Sequence, residues 1–563
     1  MLLPALLAWT AACNSPAATD SETSTSSSSE TSATATTTGT ETGTTETGTS
    51  GDPLEGIERD EGFFHNFDQG IECVYAETLR PETREQVQAV VAWAASQGTK
   101  VKVVSSPLSH SENEIICPDE SGIQINVSKM NQVLELDAEA RTIKVEPGIQ
   151  MGAMGDALAE AGLAMRIHLP LRDFTAAGII ATGAHNSSLV YPAGIHDSVV
   201  GLEIIDGAGE LRTLTGDDAR HAAVHLGWLG AVVSVTFEAV PMFKTAYSLE
   251  KGDDANLEDE ILDLAAAHDY VSFSWFPAQA GYSMGYHDIV PVDTPGDANS
   301  TSWHSSPAEQ LGFVEVIALV SNDPNGEETI CSVEASRLAD KAVGHEENGM
   351  VVEAPVGFVN KMFQSTCVDL ECPWHAGGQA FNPELAIPAE QLPAWINRVK
   401  EINAAKPTCF PINGIVIRFS KGSDSWMGSN AGADVAYVEW HIPRHPDPAQ
   451  NEHFSDMYDE IFQMTLEEFD ARPHWAKNYW STFAGLDRSK YAGWDQFDAL
   501  RADFDPQGLF VNPFSELSYG DLPLELEPGC AIDRSCICED DSHCGVGHEC
   551  VPGLVFTDAR VCR

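Results

Sequence analysis

Basic residues are scarce in this chain of 563 residues: 31 Lys and Arg stand against 85 Asp and Glu, a formal charge of −54. That imbalance excludes nucleic acid as a partner, because phosphates are held by clustered Lys and Arg. It equally argues against docking on anionic lipid. Beyond the N-terminus no apolar run is long enough to span a bilayer. No GxGxxG occurs, so a Rossmann dinucleotide site is not supported. The 13 cysteines include no CxxC knuckle of the kind that grips structural zinc.

What is present begins with Met1-Leu2-Leu3-Pro4-Ala5-Leu6-Leu7-Ala8-Trp9, an apolar run that reads as the h-region of an export signal. Ala11-Ala12-Cys13 after it resembles a bacterial lipobox, so residues 1–13 are expected to be a signal with Cys13 as the lipidated end of the mature chain. Residues 14–55 are almost wholly Ser, Thr, Ala and Gly with scattered acids. Such a segment buries too little apolar surface to offset its ordering entropy and reads as a disordered tether. An exported, extracytoplasmic and lipid-anchored protein is the expectation.

At the other end, Cys530, Cys536, Cys538, Cys544, Cys550 and Cys562 crowd into residues 526–563. In an exported chain this reads as a small disulfide-stapled module, each bridge contributing about 2–4 kcal/mol. Between tether and tail, strand and helix patterns alternate. Pro81 and Glu82 precede a helix with Val87, Val90, Val91 and Ala94 on one face and Gly98 at its end. Short strands follow at 100–104, 123–127 and 142–145, with a helix over 151–161. Asp206-Gly207-Ala208-Gly209 joins two strands as a hairpin. From Met242 the strands lengthen, as at 414–419 and 435–442, with helices such as 388–402 interspersed. The expected fold class is α+β: one two-part domain over 56–241, an antiparallel α+β domain over 242–525, and the Cys-rich tail. After His474 the chain is expected to return to the first domain.

The candidate chemistry lies in four segments. Gly178-Ile179-Ile180-Ala181-Thr182-Gly183-Ala184-His185-Asn186 joins small residues, a Thr and a His; glycines let other groups approach the backbone, and successive N–H groups can hold an anion. Ser109-His110-Ser111 precedes it, and Leu226-Gly227-Trp228-Leu229-Gly230 follows. Pro473-His474-Trp475-Ala476-Lys477 stands near the end. On the strand around Arg418, alternation puts Val416, Arg418 and Ser420 on one face. On the next strand Tyr437, Glu439 and His441 share a face.

That order of segments resembles the aldonolactone oxidases, a family of the vanillyl-alcohol oxidase superfamily with PCMH-type FAD-binding domains. The Ser-His-Ser setting and the Cys-rich end are most similar to the plant-type L-gulonolactone oxidases. The resemblance implies FAD, linked covalently through His110. It implies that Ser109, Ser111, Gly148, Thr175, Gly178, Ala181, Thr182, Gly183, His185, Gly230 and Val232 line the cofactor, with His185 as a buttress of the glycine turn. Arg418, Lys477 and His474 become the catalytic cations and motif histidine. The family's Glu two residues before the Arg is Val416 here, so Glu439, with His441 as the alternative, is the expected base. Gly122 is expected to leave oxygen a path to the flavin. No metal is expected. The implied reaction is oxidation of a sugar lactone or polyol, most simply an aldono-1,4-lactone, with O2 reduced to H2O2. Two other readings stand beside it: a dehydrogenase of the same fold with another electron acceptor, and a non-catalytic surface adhesin.

Overall fold

A computed structural model describes residues 53–563, except 68–69, 107, 301–317, 321, 324–325, 340–343, 365–379 and 412–413. The apolar N-terminus, Cys13 and most of the tether, together with Pro107 and Asn413, lie outside the described residues.

Two sheets organise the first part of the chain. Strands β1 (Glu58–His65), β2 (Glu72–Arg80), β3 (Val101–Val104) and β4 (Ile123–Asn126) form a four-stranded sheet in the order β1-β2-β4-β3. β4 runs parallel to both β2 and β3. The crossover from β2 to β3 is helix α1 (Arg84–Gln97), which Thr83 caps by accepting the Gln86 N–H and Gly98 ends in the left-handed conformation. Its apolar stripe Val87, Val90, Val91 and Ala94 is fully buried against the sheet. Each such aliphatic side chain contributes about 1.5–3 kcal/mol of transfer free energy.

The second sheet combines β5 (Val133–Asp137), β6 (Thr142–Val145), β7 (Val199–Ile205), β8 (Leu211–Thr215) and β9 (Ala231–Glu238) in the order β5-β6-β9-β7-β8, all antiparallel. Its core also takes in helices α2 (Met151–Glu160) and α3 (Ala176–Ala181). The hairpin at 206–209 forms as the sequence indicates: Asp206 Oδ1 accepts the N–H groups of Ala208 and Glu210.

The next region is an eight-stranded sheet built from β10 (Lys244–Asp253), β11 (Tyr270–Phe276), β12 (Gly281–Val290), β13 (Val356–Phe358), β14 (Glu384–Pro388), β15 (Ile415–Ser420), β16 (Val435–Trp440) and β17 (Arg472–Pro473). Their order is β13-β10-β12-β11-β15-β16-β14-β17. Helices α4 (Leu257–Ala266), α5 (Leu392–Ala405) and α6 (Ser455–Glu468) share a core with one face of it, through Ile415, Ile417, Phe419, Ala436, Val438, Trp440, Leu385 and Ile387. Strand periodicity therefore turns Glu384, Val416, Arg418, Tyr437 and Glu439 to the opposite face. From Trp475 onward, Phe483, Tyr491, Trp494, Phe497, Phe504, Phe514 and Leu517 pack into the core of the first part, so the chain does return there.

The tail is held by Cys530–Cys536, Cys538–Cys550 and Cys544–Cys562. Two further disulfides, Cys73–Cys117 and Cys331–Cys409, tie the body. Among the described residues no helix is long and apolar enough to cross a membrane.

Candidate active site

The outward face of the central sheet carries a compact cluster of charge. Register places Glu439 opposite Val416 on one side and opposite Glu384 on the other. One step along, Arg418 pairs with Tyr437, and Tyr437 with Ala386. Arg418 Nη2 donates to both carboxylates, to Glu384 Oε2 and Glu439 Oε2. Lys477 Nζ donates to Glu439 Oε1 at 2.7 Å and Glu384 Oε2 at 3.2 Å. A carboxylate, Glu439, thus stands on the neighbouring strand directly opposite Val416.

Lys477 reaches the sheet because its backbone is clamped. Asn478 holds a left-handed φ of 76°. Its Oδ1 accepts the Glu384 N–H at 3.0 Å, and its Nδ2 donates to the carbonyls of Glu384 and His474, both at 2.9 Å. Trp475 anchors the other side, buried and donating Nε1–H to the Met427 carbonyl at 2.7 Å. The His110 segment is bound to this same turn. Asn113 Nδ2 donates to the carbonyls of Trp475 and Lys477 at 3.0 Å each, and the Glu112 N–H to Ala476 O at 2.7 Å.

Burial grades the cluster. Side-chain exposure is 0% for Glu384, 2% for His185 and 7% for Glu439, but 19% for Arg418 and Lys477. Glu384 and His185 form an inner wall, and the two cations and Glu439 form the accessible front. Desolvation works against every charge here. For Arg418 and Lys477 it is outweighed by the two carboxylates, and both cations stay above their ordinary range. Desolvation of Glu384 and Glu439 is likewise outweighed by the cations, which hold Glu384 well below and Glu439 below the usual carboxylate range. Burial pushes His474 down to about 3. His474 Nδ1 accepts the Ala476 N–H at 3.2 Å, so the neutral ring carries its proton on Nε2 and is a donor, not a base.

The candidate cofactor residues separate into groups. His110 stacks on Phe67 with ring centroids 5.0 Å apart, meets Phe174 edge-on, and sets Nε2 3.5 Å from Asp173 Oδ2. Ser109 Oγ accepts the Ser111 N–H, and the Ser109 carbonyl accepts the Phe67 N–H, so the two serines shape the loop that presents His110. Thr175 Oγ1 lies 2.7 Å from Ser105 Oγ at the start of α3. A Cβ on Gly178 would sit 2.9 Å from Thr175 Oγ1 and 3.3 Å from Ser105 Oγ. This small-residue cradle fits the planar, phosphate-bearing group that the sequence implies. Ala181 and Thr182 end α3, and Gly183 turns the chain at φ 75°.

The remaining candidates have further surroundings. His185 does not buttress the glycine turn alone: its Nε2 lies 2.6 Å from Glu384 Oε1, and its ring stacks on Tyr437 at 3.5 Å, which puts it in the charged cluster. Gly230 and Val232 lie in the sheet: a Cβ on Gly230 would sit 2.3 Å from Ile205 O, and Val232 is buried opposite Ile204. Gly148 and Gly122 are likewise hemmed by backbone, Gly148 by Val127 O and Met130 O, Gly122 by Asp119 O and Lys100 O. Glu384 escaped sequence reasoning. Its one sequence signal is the alternation Glu384-Leu385-Ala386-Ile387, with Leu385 and Ile387 on the apolar face.

Comparison with known proteins gives the family. Residues 76–215 match the FAD-binding domain family, which makes the chain a flavoprotein oxidoreductase by class. Residues 235–517 match the D-arabinono-1,4-lactone oxidase family, and residues 527–563 match the C-terminal domain of L-gulonolactone oxidase 2-like proteins. A probable L-gulonolactone oxidase 1 of Arabidopsis thaliana is 30% identical over 533 residues, covering 87% of this chain and 88% of the relative. An L-gulono-1,4-lactone dehydrogenase of Mycobacterium tuberculosis is 26% identical, covering 80% of this chain and 97% of the relative. A solvent-stable cholesterol oxidase has the same fold, with a TM-score of 0.64 at 15% identity over 82% of this chain and 98% of that one. The chain belongs to the aldonolactone oxidase family.

Proposed function

We propose that this protein is an exported FAD-dependent oxidase of aldono-1,4-lactones, of the L-gulono- or D-arabinono-lactone type, which passes the electrons to O2 and forms H2O2. The observation that carries the reading is the convergence of Arg418, Lys477 and Glu439 on one sheet face, tied through the Lys477 turn to the His110 segment. FAD, when bound, supplies the hydride acceptor. Arg418 and Lys477 hold and orient the lactone oxygens and stabilise negative charge that develops in the transition state. His474 offers a neutral hydrogen-bond donor beside them.

Glu439 takes the hydroxyl proton. A carboxylate has about four lone-pair sites, and the two cations occupy two of them here. Its depressed pKa keeps it ionised, so it stays an acceptor throughout the neutral range. His441, 3.9 Å from Glu439 on the half-exposed rim, is the route by which that proton leaves. Covalent attachment is through His110: with Nε2–H turned to Asp173, the lone pair of Nδ1 is the free nucleophile. Cys13 is the proposed lipid anchor.

A panel of aldono-1,4-lactones and alditols, read by peroxide formation, tests the activity. Turnover with dye acceptors but no oxygen uptake would replace oxidase by dehydrogenase, the reading favoured by the mycobacterial relative. Stopped-flow flavin reduction across pH for Glu439→Gln and His441→Asn tests the base: Glu439→Gln should abolish the acid limb, and unchanged profiles in both would remove both from the role.

A further inference from the structure

His185 has more acceptors around it than a neutral ring can serve. Its Nδ1 lies 2.8 Å from the Asn186 carbonyl, and its Nε2 lies 2.6 Å from Glu384 Oε1. A carbonyl oxygen only accepts, so Nδ1 must carry a proton. Nε2 and Oε1 at 2.6 Å then need a second proton between them, or two lone pairs would face each other at a buried contact.

We infer that His185 and Glu384 together hold one proton more than a neutral imidazole and a carboxylate would, and that this inner pair positions Arg418 and Lys477 and sets the charge of the site. The inference rests on the proposed function only where it concerns the flavin. Burial is the largest influence on His185 and lowers its pKa, while Glu384 raises it. The geometry decides in favour of the proton, since discharging the ring would break one of two short buried hydrogen bonds. Tyr437, stacked at 3.5 Å and 12° between planes, presents a π face to the charged ring.

The charged and titratable groups around the pair are counted; His441, 3.9 Å from Glu439, lies outside them on the rim. Arg418 and Lys477 carry positive charge, and Glu384 and Glu439 negative charge. Tyr437 stays neutral because burial raises it. His474 stays neutral because burial lowers it to about 3. Those four charges cancel, so the extra proton leaves the inner cluster with a charge of plus one. Glu112 acts on Lys477 from outside this inner group. A net cation is what a developing alkoxide and an electron-rich cofactor require, in a chain whose overall charge would repel both. Glu384 is therefore a positioning residue: its side chain is wholly buried, and its carboxylate pairs with His185, Arg418 and Lys477.

Neutron diffraction from deuterium-exchanged holoenzyme counts the protons directly. Density is expected on His185 Nδ1 and between Nε2 and Glu384 Oε1. Its absence from either place overturns the inference, whatever the enzyme oxidises. Sulfite affinity gives a second readout, since binding of this anion reports positive charge beside an oxidised flavin. Glu384→Gln removes the carboxylate charge together with the extra proton, so sulfite affinity should change less than about fivefold. Lys477→Met removes a cation and should weaken it about tenfold or more. Tightening beyond about fivefold in Glu384→Gln would mean that no extra proton was present. Should Glu384→Gln not fold, the neutron density alone decides.

Discussion

Replacing Arg418 with methionine removes the guanidinium shared by Glu384 and Glu439 and keeps most of the side-chain volume. Of the two side chains that bridge these carboxylates, only Lys477 then remains. Breaking a buried ion pair by deleting one partner costs about 3–5 kcal/mol, and the lower end applies because Lys477 remains. The pH dependence has a definite sign. In the native protein both carboxylates are held below their ordinary range, so their contribution is present above the unfolded value near 4.5 and is lost as pH falls through the lower folded values. In the variant Glu439 loses the larger of the two cationic influences that hold it down, so its folded pKa rises. Its penalty is then greatest at high pH and fades on acidification, by up to about 1.4 kcal/mol per pH unit for one proton. Guanidinium denaturation followed by tryptophan fluorescence should show a stability gap of about 3 kcal/mol at pH 7.5 that narrows clearly by pH 5.5. A gap under about 1 kcal/mol, the size expected for an exposed pair, or one that does not change with pH, would refute the reasoning.

Other outcomes follow from the same geometry. Flavin should survive acid precipitation of the wild type and be released from His110→Ala, while Asp173→Asn should lower the covalently bound fraction; both are read from the absorbance of pellet and supernatant. Gly178→Ala should fold but retain little flavin, because its methyl must occupy space beside Ser105 and Thr175; circular dichroism and the ratio of flavin to protein absorbance check this. Replacing Cys538 and Cys550 by alanine opens a bridge between residues 12 apart and should cost about 3 kcal/mol, measured by denaturation of the oxidised protein.

Much of this site was legible in the chain because its signals are local. Alternation alone turned Arg418 and Glu439 away from the apolar face, and cysteine density marked the stapled tail. What escaped depends on distant register. Nothing near Glu384 announces that β14 will pair with β16 so that Glu384 meets Glu439. His185 lies in a glycine-rich segment whose composition points to a turn, yet its ring reaches a strand almost 200 residues away. The sequence around Gly230 likewise does not announce the close approach it permits to the Ile205 carbonyl of its own sheet. Six cysteines allow 15 pairings, and only the three-dimensional fold selects Cys530–Cys536, Cys538–Cys550 and Cys544–Cys562.

The central claim is that this site oxidises a lactone through a flavin. Anaerobic stopped-flow mixing of the purified yellow protein with L-gulono-1,4-lactone or D-arabinono-1,4-lactone, followed by a second mix with oxygenated buffer, tests it most directly. Bleaching of the flavin band by lactone and its return with one equivalent of H2O2 per flavin is the expected result. A flavin that these lactones leave oxidised, in a protein that some unrelated alcohol reduces, would contradict the account.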